Sequence, residues 1–193
     1  MPYVDLAFRI VGKTIPVDHG YSLYSAISRI VPELHGARNI GVHPIRGVYH
    51  GNGTLRLAEH SRLTVRLPDD DIKTYLKLAG KRLTLNSNGL TVGVPEVRKL
   101  RLVASLRARL VTIRGFLEPD GFLQAVRRQL ESLGLSGELA LGERRTFRVK
   151  EKQIVGFELC VTELDAEESL TLQEAGLGGR RHMGCGVFVQ WRG

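Results

Sequence analysis

The sequence predicts an α+β protein built from two successive βαββαβ units, and three observations indicate this class. Residues 4–10 alternate between apolar and more polar side chains, which is the period of a half-buried strand. Apolar residues then recur at three- and four-residue spacing over residues 23–31, which indicates an amphipathic helix that ends near Pro32. The same order of elements occurs again in the second half of the chain.

The first half contains the predicted order strand, helix, strand, strand, helix, strand. A second helix is predicted to open at the acidic run 69–71, whose carboxylates suit a helix N-terminus, and to continue to Gly80. Glycines and the segment 50–53 supply turns between the strands. The strands of this half are predicted at residues 4–10, 39–45, 54–57 with 62–67, and on both sides of the turn 86–89.

The second half repeats this order from residue 106 onward. Its helices are predicted at residues 119–133 and at the short acidic segment 165–174. Its strands are predicted at residues 106–113, 137–141, 146–149, 155–164 and 187–189.

Two βαββαβ units in succession predict a pair of ferredoxin-like, RRM-like domains, each an antiparallel sheet with its helices on one face. We place the first domain at residues 1–96 and the second at residues 97–193, with the join around residues 95–102. A single mixed α/β domain is the alternative.

The charge of the chain indicates an anionic partner. Lys and Arg total 28 against 20 Asp and Glu, which gives a formal net charge of +8. No stretch of about 18 apolar residues predicts a membrane span, and the N-terminal residues lack the pattern of a signal peptide. Cys160 and Cys185 have no CxxC spacing, which argues against a disulfide scaffold or a zinc knuckle. We therefore expect a soluble, cytoplasmic protein with no membrane partner.

A glycine-rich segment near the C-terminus is the strongest candidate for contact with a polyanion. Glycines allow positive φ, so that successive amides can point at an anion, and arginines add bidentate phosphate contacts. The segment has no GK[ST] end and follows a helix rather than a strand, so nucleotide-cofactor loops are poor matches. A plain tight loop is the alternative. The predicted contacts are Gly176, Gly178, Gly179, Arg180, Arg181, His182, Gly184 and Gly186.

Basic residues around one predicted strand pair support the same interpretation. Those with even numbers share a face by the period-two rule, and solvated charge is the alternative explanation. Aromatic residues are only 6% of the chain and no RNP motif occurs, so RRM-type base stacking is poorly supported. These basic residues are Arg144, Arg145, Arg148, Lys150 and Lys152.

Together, the double βαββαβ layout, the segment GLGGRRHMGCGVFV and the PELHG sequence after the first helix carry a resemblance to a known family. They resemble the repeat-associated RNA-processing proteins of CRISPR systems, and within them the Cas six endoribonuclease family in its short Myxococcus-type branch. The resemblance implies cleavage of the CRISPR precursor transcript within each repeat, without metal or cofactor. It also implies a repeat-RNA partner, expected as a hairpin, and membership of a CRISPR effector complex.

Histidine can exchange protons near neutral pH, so the histidines are candidates for the chemistry of RNA cleavage. His35, which follows the first helix, matches the position of the general base in many family members. An interaction with the helix dipole is its structural alternative. Tyr24 on the first helix resembles a tyrosine of several relatives, and a core aromatic is the alternative.

Two further histidines compete with His35 for this role. His43 lies in a predicted strand, and His19 lies in the turn before the first helix. Arg46 is a candidate phosphate ligand near His43. No histidine spacing indicates a metal site. A non-catalytic RNA-binding subunit of a CRISPR ribonucleoprotein is the alternative function, and an unrelated basic RNA-binding protein is a third.

Overall fold

The computed structural model of the chain describes residues 2–192. Its residues separate into two units, the first ending at Lys99 and the second beginning at Leu100. The predicted boundary after residue 96 falls inside a strand, because residues 97–99 still pair with the first strand of the chain. The described residues contain no helix long and apolar enough to cross a membrane.

Residues 2–99, the described part of the first unit, form eight strands and two short α-helices. In chain order these are β1 (Tyr3–Gly12), β2 (Thr14–Pro16), α1 (Gly20–Ser28), β3 (Gly41–Val42), β4 (Val48–Tyr49), β5 (Thr54–Arg56), β6 (Arg62–Pro68), α2 (Ile72–Tyr75), β7 (Arg82–Leu85) and β8 (Asn88–Lys99). Five of the strands form an antiparallel sheet in the order β3-β6-β1-β8-β7. The other three form a small sheet in the order β2-β5-β4.

Strand β1 lies in the middle of the larger sheet and shows why the alternating pattern is informative. Leu6 and Phe8 are fully buried and pack in the same core cluster as Leu23 and Ile27 of α1. Asp5, one residue before Leu6, belongs to the opposite face of the strand. The apolar face of α1 therefore belongs to the same core as the central strand, and the other side chains of α1 remain more accessible.

The predicted helix from residue 69 to Gly80 is broken into three short pieces. Residues Asp69–Asp71 and Leu76–Leu78 form 3-10 turns on either side of α2. Tyr75, the last residue of α2, and Leu78, the last residue of the following 3-10 turn, are both buried. The segment is therefore helical as predicted, but it is not one continuous α-helix.

In the second unit, the described residues 100–192 form four strands and two longer α-helices. In chain order these are β9 (Leu106–Val111), α3 (Pro119–Ser132), β10 (Glu138–Val149), β11 (Lys152–Thr162), α4 (Ala166–Ala175) and β12 (Val189–Gln190). The strands form an antiparallel sheet in the order β10-β11-β9-β12. Asp165 caps α4 by a reciprocal hydrogen-bonded pair with Glu168, which agrees with the acidic start predicted for this helix.

Strand β10 is continuous where the sequence predicts two short strands. The pairing with β11 shifts register between Leu141 and Arg144, so a bulge occupies the predicted gap at Gly142 and Glu143. The two predicted strands, 137–141 and 146–149, are therefore parts of one strand that continues through the bulge. The protein as a whole is α+β with antiparallel sheets.

Candidate active site

Tyr24 and His35 form the most accessible pair of catalytic candidates. The Tyr24 Oη lies 2.7 Å from Nδ1 of His35, and the two rings meet edge to face with centroids 5.5 Å apart. Tyr24 is half-buried on α1, whereas His35 is exposed. Among residues 2–192, no hydrogen bond is found for Nε2 of His35. That nitrogen is therefore positioned to exchange a proton with a bound molecule.

The local chain fixes His35 by its backbone. Pro32–Leu34 form a 3-10 turn directly after α1, and the His35 amide donates to the Pro32 carbonyl. Leu34 is fully buried in the first core and anchors the turn. The position of the imidazole is therefore set by the 3-10 turn, which the buried Leu34 anchors, and by the hydrogen bond to Tyr24.

An ion pair missed by the sequence analysis flanks this turn. Lys77 Nζ lies 2.8 Å from Glu33 Oε1, and both side chains are half exposed. The hydrogen bond from Lys77 lowers the pKa of the Glu33 carboxyl. The local sequence does not predict this ion pair, because Glu33 and Lys77 are 44 residues apart and the fold brings them together.

His19 has a structural role that conflicts with its predicted catalytic one. Its side chain is 3% exposed, and Nδ1 lies 2.9 Å from the Pro16 carbonyl oxygen and 3.1 Å from that of Val17. Carbonyl oxygens only accept, so Nδ1 carries the proton. Nε2 accepts from the Ile45 amide at 3.0 Å. With both nitrogens bonded internally, the prediction of His19 as a catalytic residue is corrected to a backbone anchor.

His43 belongs to an internal polar network rather than to an open site. Its Nε2 lies 3.2 Å from Asp5 Oδ1, and its side chain is 13% exposed. Arg66 contacts the same carboxylate with Nε at 2.8 Å and Nη2 at 2.9 Å. Because a carboxylate only accepts, Nε2 of His43 must carry a proton here. The predicted catalytic role of His43 is therefore replaced by a role in this network.

The pKa values of both titratable members of the network lie below their usual ranges. Burial lowers the pKa of His43, and the attraction of Asp5 opposes this without reversing it. Burial alone would raise the pKa of Asp5, but the charges and hydrogen bonds of His43 and Arg66 hold it well below its usual range. Arg46 is exposed and close enough to lower the pKa of His43 further.

The glycine-rich segment does not present its glycine amides as predicted. Each of these amides donates within the second unit, so they are not available to an anion. The donors and acceptors are Gly176 to Leu172, Gly178 to the Gln129 side chain, Gly179 to Thr112, Gly184 to Arg181 and Gly186 to Leu110. The prediction of an amide cradle is therefore wrong, and the glycines serve the packing of the segment.

Two of these glycines are needed because the backbone passes close to its neighbours. Gly178 has φ +70°, and a Cβ there would overlap the Thr112 carbonyl oxygen. Gly186 has φ +63°, and a Cβ there would overlap the Leu177 carbonyl oxygen. The segment is a tightly built loop, which is the alternative interpretation of the sequence.

The two arginines of the segment have different environments. Arg181 is 6% exposed, and its Nη2 approaches the Gln173 carbonyl at 3.4 Å, near the C-terminal end of α4. Its predicted role as an RNA ligand is therefore corrected, since its guanidinium is held inside the unit. Arg180 is half-buried in the left-handed region with φ +62°, and His182 is also half-buried.

The basic hairpin of β10 and β11 lies beside the glycine-rich segment. Met183 and Cys185 of the segment pack in one apolar cluster with Phe147 of β10. On the opposite face of β10, Arg144 and Arg148 are exposed, and Lys150 and Lys152 are exposed at the hairpin end. The even-numbered residues therefore form a basic surface.

Arg145 differs from its neighbours on this hairpin. Its Nη2 lies 2.8 Å from Glu143 and 3.0 Å from Glu158, and Arg107 also contacts Glu158 at 2.7 Å. The guanidinium is therefore neutralised in an ion-pair network on the other face of the sheet. Among residues 2–192, no group of three metal-ligating side chains is found.

Comparison with known proteins identifies the family to which this chain belongs. A family model described as Cas6 Crispr matches residues 4–193. The CRISPR-associated endonuclease Cas6 of Myxococcus xanthus (strain DK1622) is 42% identical over 196 residues, which cover 98% of this chain and 82% of that protein. The chain therefore belongs to the Cas6 family of CRISPR-associated proteins, and the resemblance noted in the sequence is confirmed.

Solved structures show the same fold at low sequence identity. A CRISPR associated protein Cas6 has a TM-score of 0.69 at 14% identity, covering 98% of this chain and 99% of that one. Thermus thermophilus Cse3, solved bound to an RNA representing a pre-cleavage complex, has a TM-score of 0.54 at 17% identity. That match covers 98% of each chain.

Proposed function

We propose that this protein is a metal-independent endoribonuclease that cleaves CRISPR precursor RNA within its repeats to make guide RNAs. The observation that carries the proposal is the hydrogen bond between Tyr24 and His35, which leaves the outer nitrogen of an exposed histidine facing solvent. Membership of the Cas6 family and the endonuclease name of the Myxococcus relative support the same activity.

His35 acts as the general base in this proposal. Nε2 takes the proton of the 2′-hydroxyl, and the 2′-oxygen attacks the adjacent phosphorus. The bond from phosphorus to the 5′-oxygen then breaks, the leaving oxygen takes up one proton from water, and His35 afterwards returns its proton to water. The products are a 2′,3′-cyclic phosphate and a 5′-hydroxyl, and no metal ion enters any step.

Tyr24 holds His35 in the form that this step needs. When Nδ1–H donates to the Tyr24 Oη, the lone pair lies on Nε2, which can then accept a proton. The same hydrogen bond persists after Nε2 is protonated, because Nδ1 is a donor in both states. Tyr24 thus acts as a positioning partner whose contact with the base does not need to change during the reaction.

The second unit binds the repeat in this proposal. The exposed basic residues of the β10–β11 hairpin, Arg144, Arg148, Lys150 and Lys152, are suited to a duplex or hairpin backbone. Arg180 and His182 add contacts from the neighbouring loop. A protein that binds its product in this way stays on the repeat hairpin and serves as a subunit of a CRISPR effector complex in the cytoplasm.

Both units are ferredoxin-like in this proposal, and their strand orders support it. In the first unit, four neighbouring strands of the sheet are β3, β6, β1 and β8. Counted along the chain, these four are the second, third, first and fourth. In the second unit β10-β11-β9-β12 have the same order. A βαββαβ chain with this antiparallel order is the ferredoxin-like arrangement. The two domains of this proposal are the units that end at Lys99 and begin at Leu100, three residues beyond the predicted bounds 1–96 and 97–193.

The cleavage proposal is tested by incubating the protein with labelled repeat RNA in EDTA. We expect one cut per repeat, and no cut in an RNA that carries a 2′-deoxy nucleotide at the scissile position. Loss of cleavage in EDTA would contradict the metal-free mechanism. Tight binding with no cleavage under any condition would instead indicate the alternative, a non-catalytic RNA-binding subunit.

The binding surface is tested by salt titration of RNA affinity. Arg148→Ala and Arg180→Ala should each reduce the slope of log affinity against log salt by about 0.7–0.9 for every phosphate that the variant no longer neutralises. Arg145→Ala is the matched control, since Glu143 and Glu158 already neutralise this guanidinium. Unchanged slopes for both test variants would contradict this surface.

A further inference from the structure

The small sheet of the first unit carries an exposed aromatic side chain that the proposed cleavage does not use. Strands β4 and β5 form a hairpin, and β4 is the outer strand of this sheet. Tyr49 on β4 is 68% exposed and its neighbour Val48 is 51% exposed. Large apolar side chains that remain this exposed on an outer strand indicate a contact surface.

The charges around this hairpin select the kind of partner. Arg46 and Arg56 are the only charged residues between positions 46 and 56, and both are exposed. Among the residues that the structure describes, neither guanidinium forms an ion pair. The segment therefore has one exposed aromatic ring, two positive charges that no carboxylate neutralises, and no acidic residue. This combination favours a partner that is a polyanion and that also has flat apolar groups able to stack on the ring.

The backbone of the β4–β5 hairpin is well defined, so a partner that binds its side chains loses little conformational entropy of the protein. A Cβ on Gly47 would lie 2.7 Å from the Arg56 carbonyl oxygen, so only glycine allows this approach of the two strands. The turn at Gly51–Gly53 has positive φ throughout, and the His50 amide donates to the Thr54 carbonyl at 3.0 Å. The ring of Tyr49 therefore stands on a preformed element.

His19 ties this hairpin to the helix that carries the candidate active site. The Val17 amide donates to the Gly53 carbonyl at 2.8 Å, and the Ile45 amide at the base of the hairpin donates to His19. Helix α1 begins at the next residue, Gly20. Tyr24 lies about 6 Å further along the axis, at 1.5 Å per residue. The hairpin is thus anchored to the first turn of α1.

We propose that the segment 46–56 is a binding platform for single-stranded RNA, with a base stacked on Tyr49 and phosphates held by Arg46 and Arg56. Val48 and Arg56 face one side of the hairpin in register, and Tyr49 and Leu55 face the other. Leu55 packs partly against the core, but β4 is an edge strand of two residues, so an RNA strand that passes over this edge can reach both sides. The proposal rests on the proposed function and names where nucleotides flanking the cleaved bond would be held.

The test uses an uncleavable repeat RNA, with a 2′-deoxy nucleotide at the scissile position, and a series of Tyr49 variants. Tyr49→Phe keeps the ring, Tyr49→Leu keeps apolar area without a flat face, and Tyr49→Ala removes both. We expect Tyr49→Phe to bind as the wild type does. Tyr49→Leu and Tyr49→Ala should bind roughly 5- to 150-fold more weakly. Val94→Ala, at a 77% exposed site on β8 outside this segment, is the matched control and should bind normally.

A second readout locates the stacked base. 2-Aminopurine placed in turn at each unpaired position of the RNA should be quenched on binding at one position, and Tyr49→Leu should abolish that quenching. Arg46→Ala and Arg56→Ala should each lower the salt slope by about 0.7. Thermal unfolding of every variant, expected to match the wild type at these exposed sites, excludes a folding effect.

The outcomes separate this inference from the proposed function. If the wild type cuts repeat RNA while Tyr49→Leu and Tyr49→Ala bind normally, the platform is wrong and the cleavage proposal stands. If the wild type neither binds nor cuts the repeat, the proposed function fails. Unstructured polyuridine then still tests the hairpin, because weaker binding only in Tyr49→Leu and Tyr49→Ala would support it and equal affinities would overturn it.

Discussion

The hydroxyl of Tyr24 and Nδ1 of His35 lie 2.7 Å apart and join helix α1 to the turn that follows it. This hydrogen bond separates His35 from the other histidines of the first unit. His19 uses both of its ring nitrogens on the backbone, and His43 faces Asp5. The chemistry proposed for this family member therefore depends on one imidazole, and this dependence is testable.

Removal of the His35 imidazole should abolish most cleavage. We expect His35→Ala to cut repeat RNA about 10²- to 10⁴-fold more slowly, which is the usual contribution of a general base. Affinity for the uncleavable repeat should stay the same, because the side chain is not needed for binding. Single-turnover cleavage and filter binding measure the two quantities. His60→Ala, at an exposed site, is the control, and equal cleavage by both variants would count against His35.

Removal of the Tyr24 hydroxyl should slow the same step by a smaller factor. Tyr24→Phe keeps the ring but removes the hydrogen bond, which contributes about 1 kcal/mol in typical cases. We therefore expect cleavage about 5- to 10-fold slower at unchanged RNA affinity. Tyr21→Phe is the matched control, since Tyr21 lies one turn away and its ring contacts Tyr24 rather than His35.

The Tyr24 effect should also disappear when His35 is absent. If the hydroxyl acts only through the imidazole, Tyr24→Phe combined with His35→Ala should cut no more slowly than His35→Ala alone. A further decrease in the double variant would mean that Tyr24 acts on the RNA independently.

The carboxylate of Asp5 should make the free energy of unfolding decrease at acidic pH. Its pKa is held well below its usual range in the folded protein by His43 and Arg66, despite its burial. Because the pKa of Asp5 is lower in the folded protein than in the unfolded chain, the ionised carboxylate stabilises the fold. This stabilisation is fully present above the pKa of the unfolded chain, about 4, and is lost as the pH falls toward the pKa of the folded protein. Urea unfolding between pH 7 and pH 2 should therefore show a steeper acid decline for the wild type than for Asp5→Asn.

The same substitution should cost stability near neutral pH. Asp5→Asn leaves the buried guanidinium of Arg66 without its carboxylate, and breaking a buried pair of this kind costs about 3–5 kcal/mol. Glu33→Gln is the control, because the Glu33 carboxylate is exposed and should contribute far less. Equal unfolding free energies for wild type and Asp5→Asn at pH 7 would show that the network is energetically neutral.

Two neighbouring glycines of the C-terminal segment should respond differently to alanine. Gly178→Ala adds a Cβ at positive φ against the Thr112 carbonyl, and we expect a decrease of about 2–5 kcal/mol in the free energy of unfolding. A Cβ on Gly179 would meet no atom within 4 Å, so Gly179→Ala should change stability far less. Chemical denaturation of both variants measures the difference. Equal decreases would mean that close packing does not explain the glycines.

Much of the fold could be predicted because apolar residues at a spacing of two indicate the buried face of a strand, and those at a spacing of three or four indicate the buried face of a helix. The alternation in β1 and the helical spacing in α1 and α3 mark faces that the cores do bury. Features that depend on partners distant in sequence could not be predicted in this way. The bulge in β10 and the 3-10 turns around α2 follow from packing that the local pattern does not contain.

The candidate site shows the same division. A histidine after the first helix and a tyrosine within it could be selected from the sequence, and the structure brings these two together. Residue type alone could not separate His35 from His19 and His43, because burial and bonding distinguish them. Similarly, Arg180 and Arg181 are equivalent in sequence, yet only Arg181 is buried.

The two-sided bonding of His19 has a consequence for tracing how the family evolves. Few side chains can both donate to the carbonyl of Pro16 and accept from the amide of Ile45, so folding alone is a reason to keep histidine here. A descendant that had given up RNA cleavage would still be under selection at position 19. Loss of activity in such a lineage should first be recorded at His35, whose imidazole, among residues 2–192, is hydrogen-bonded only to Tyr24.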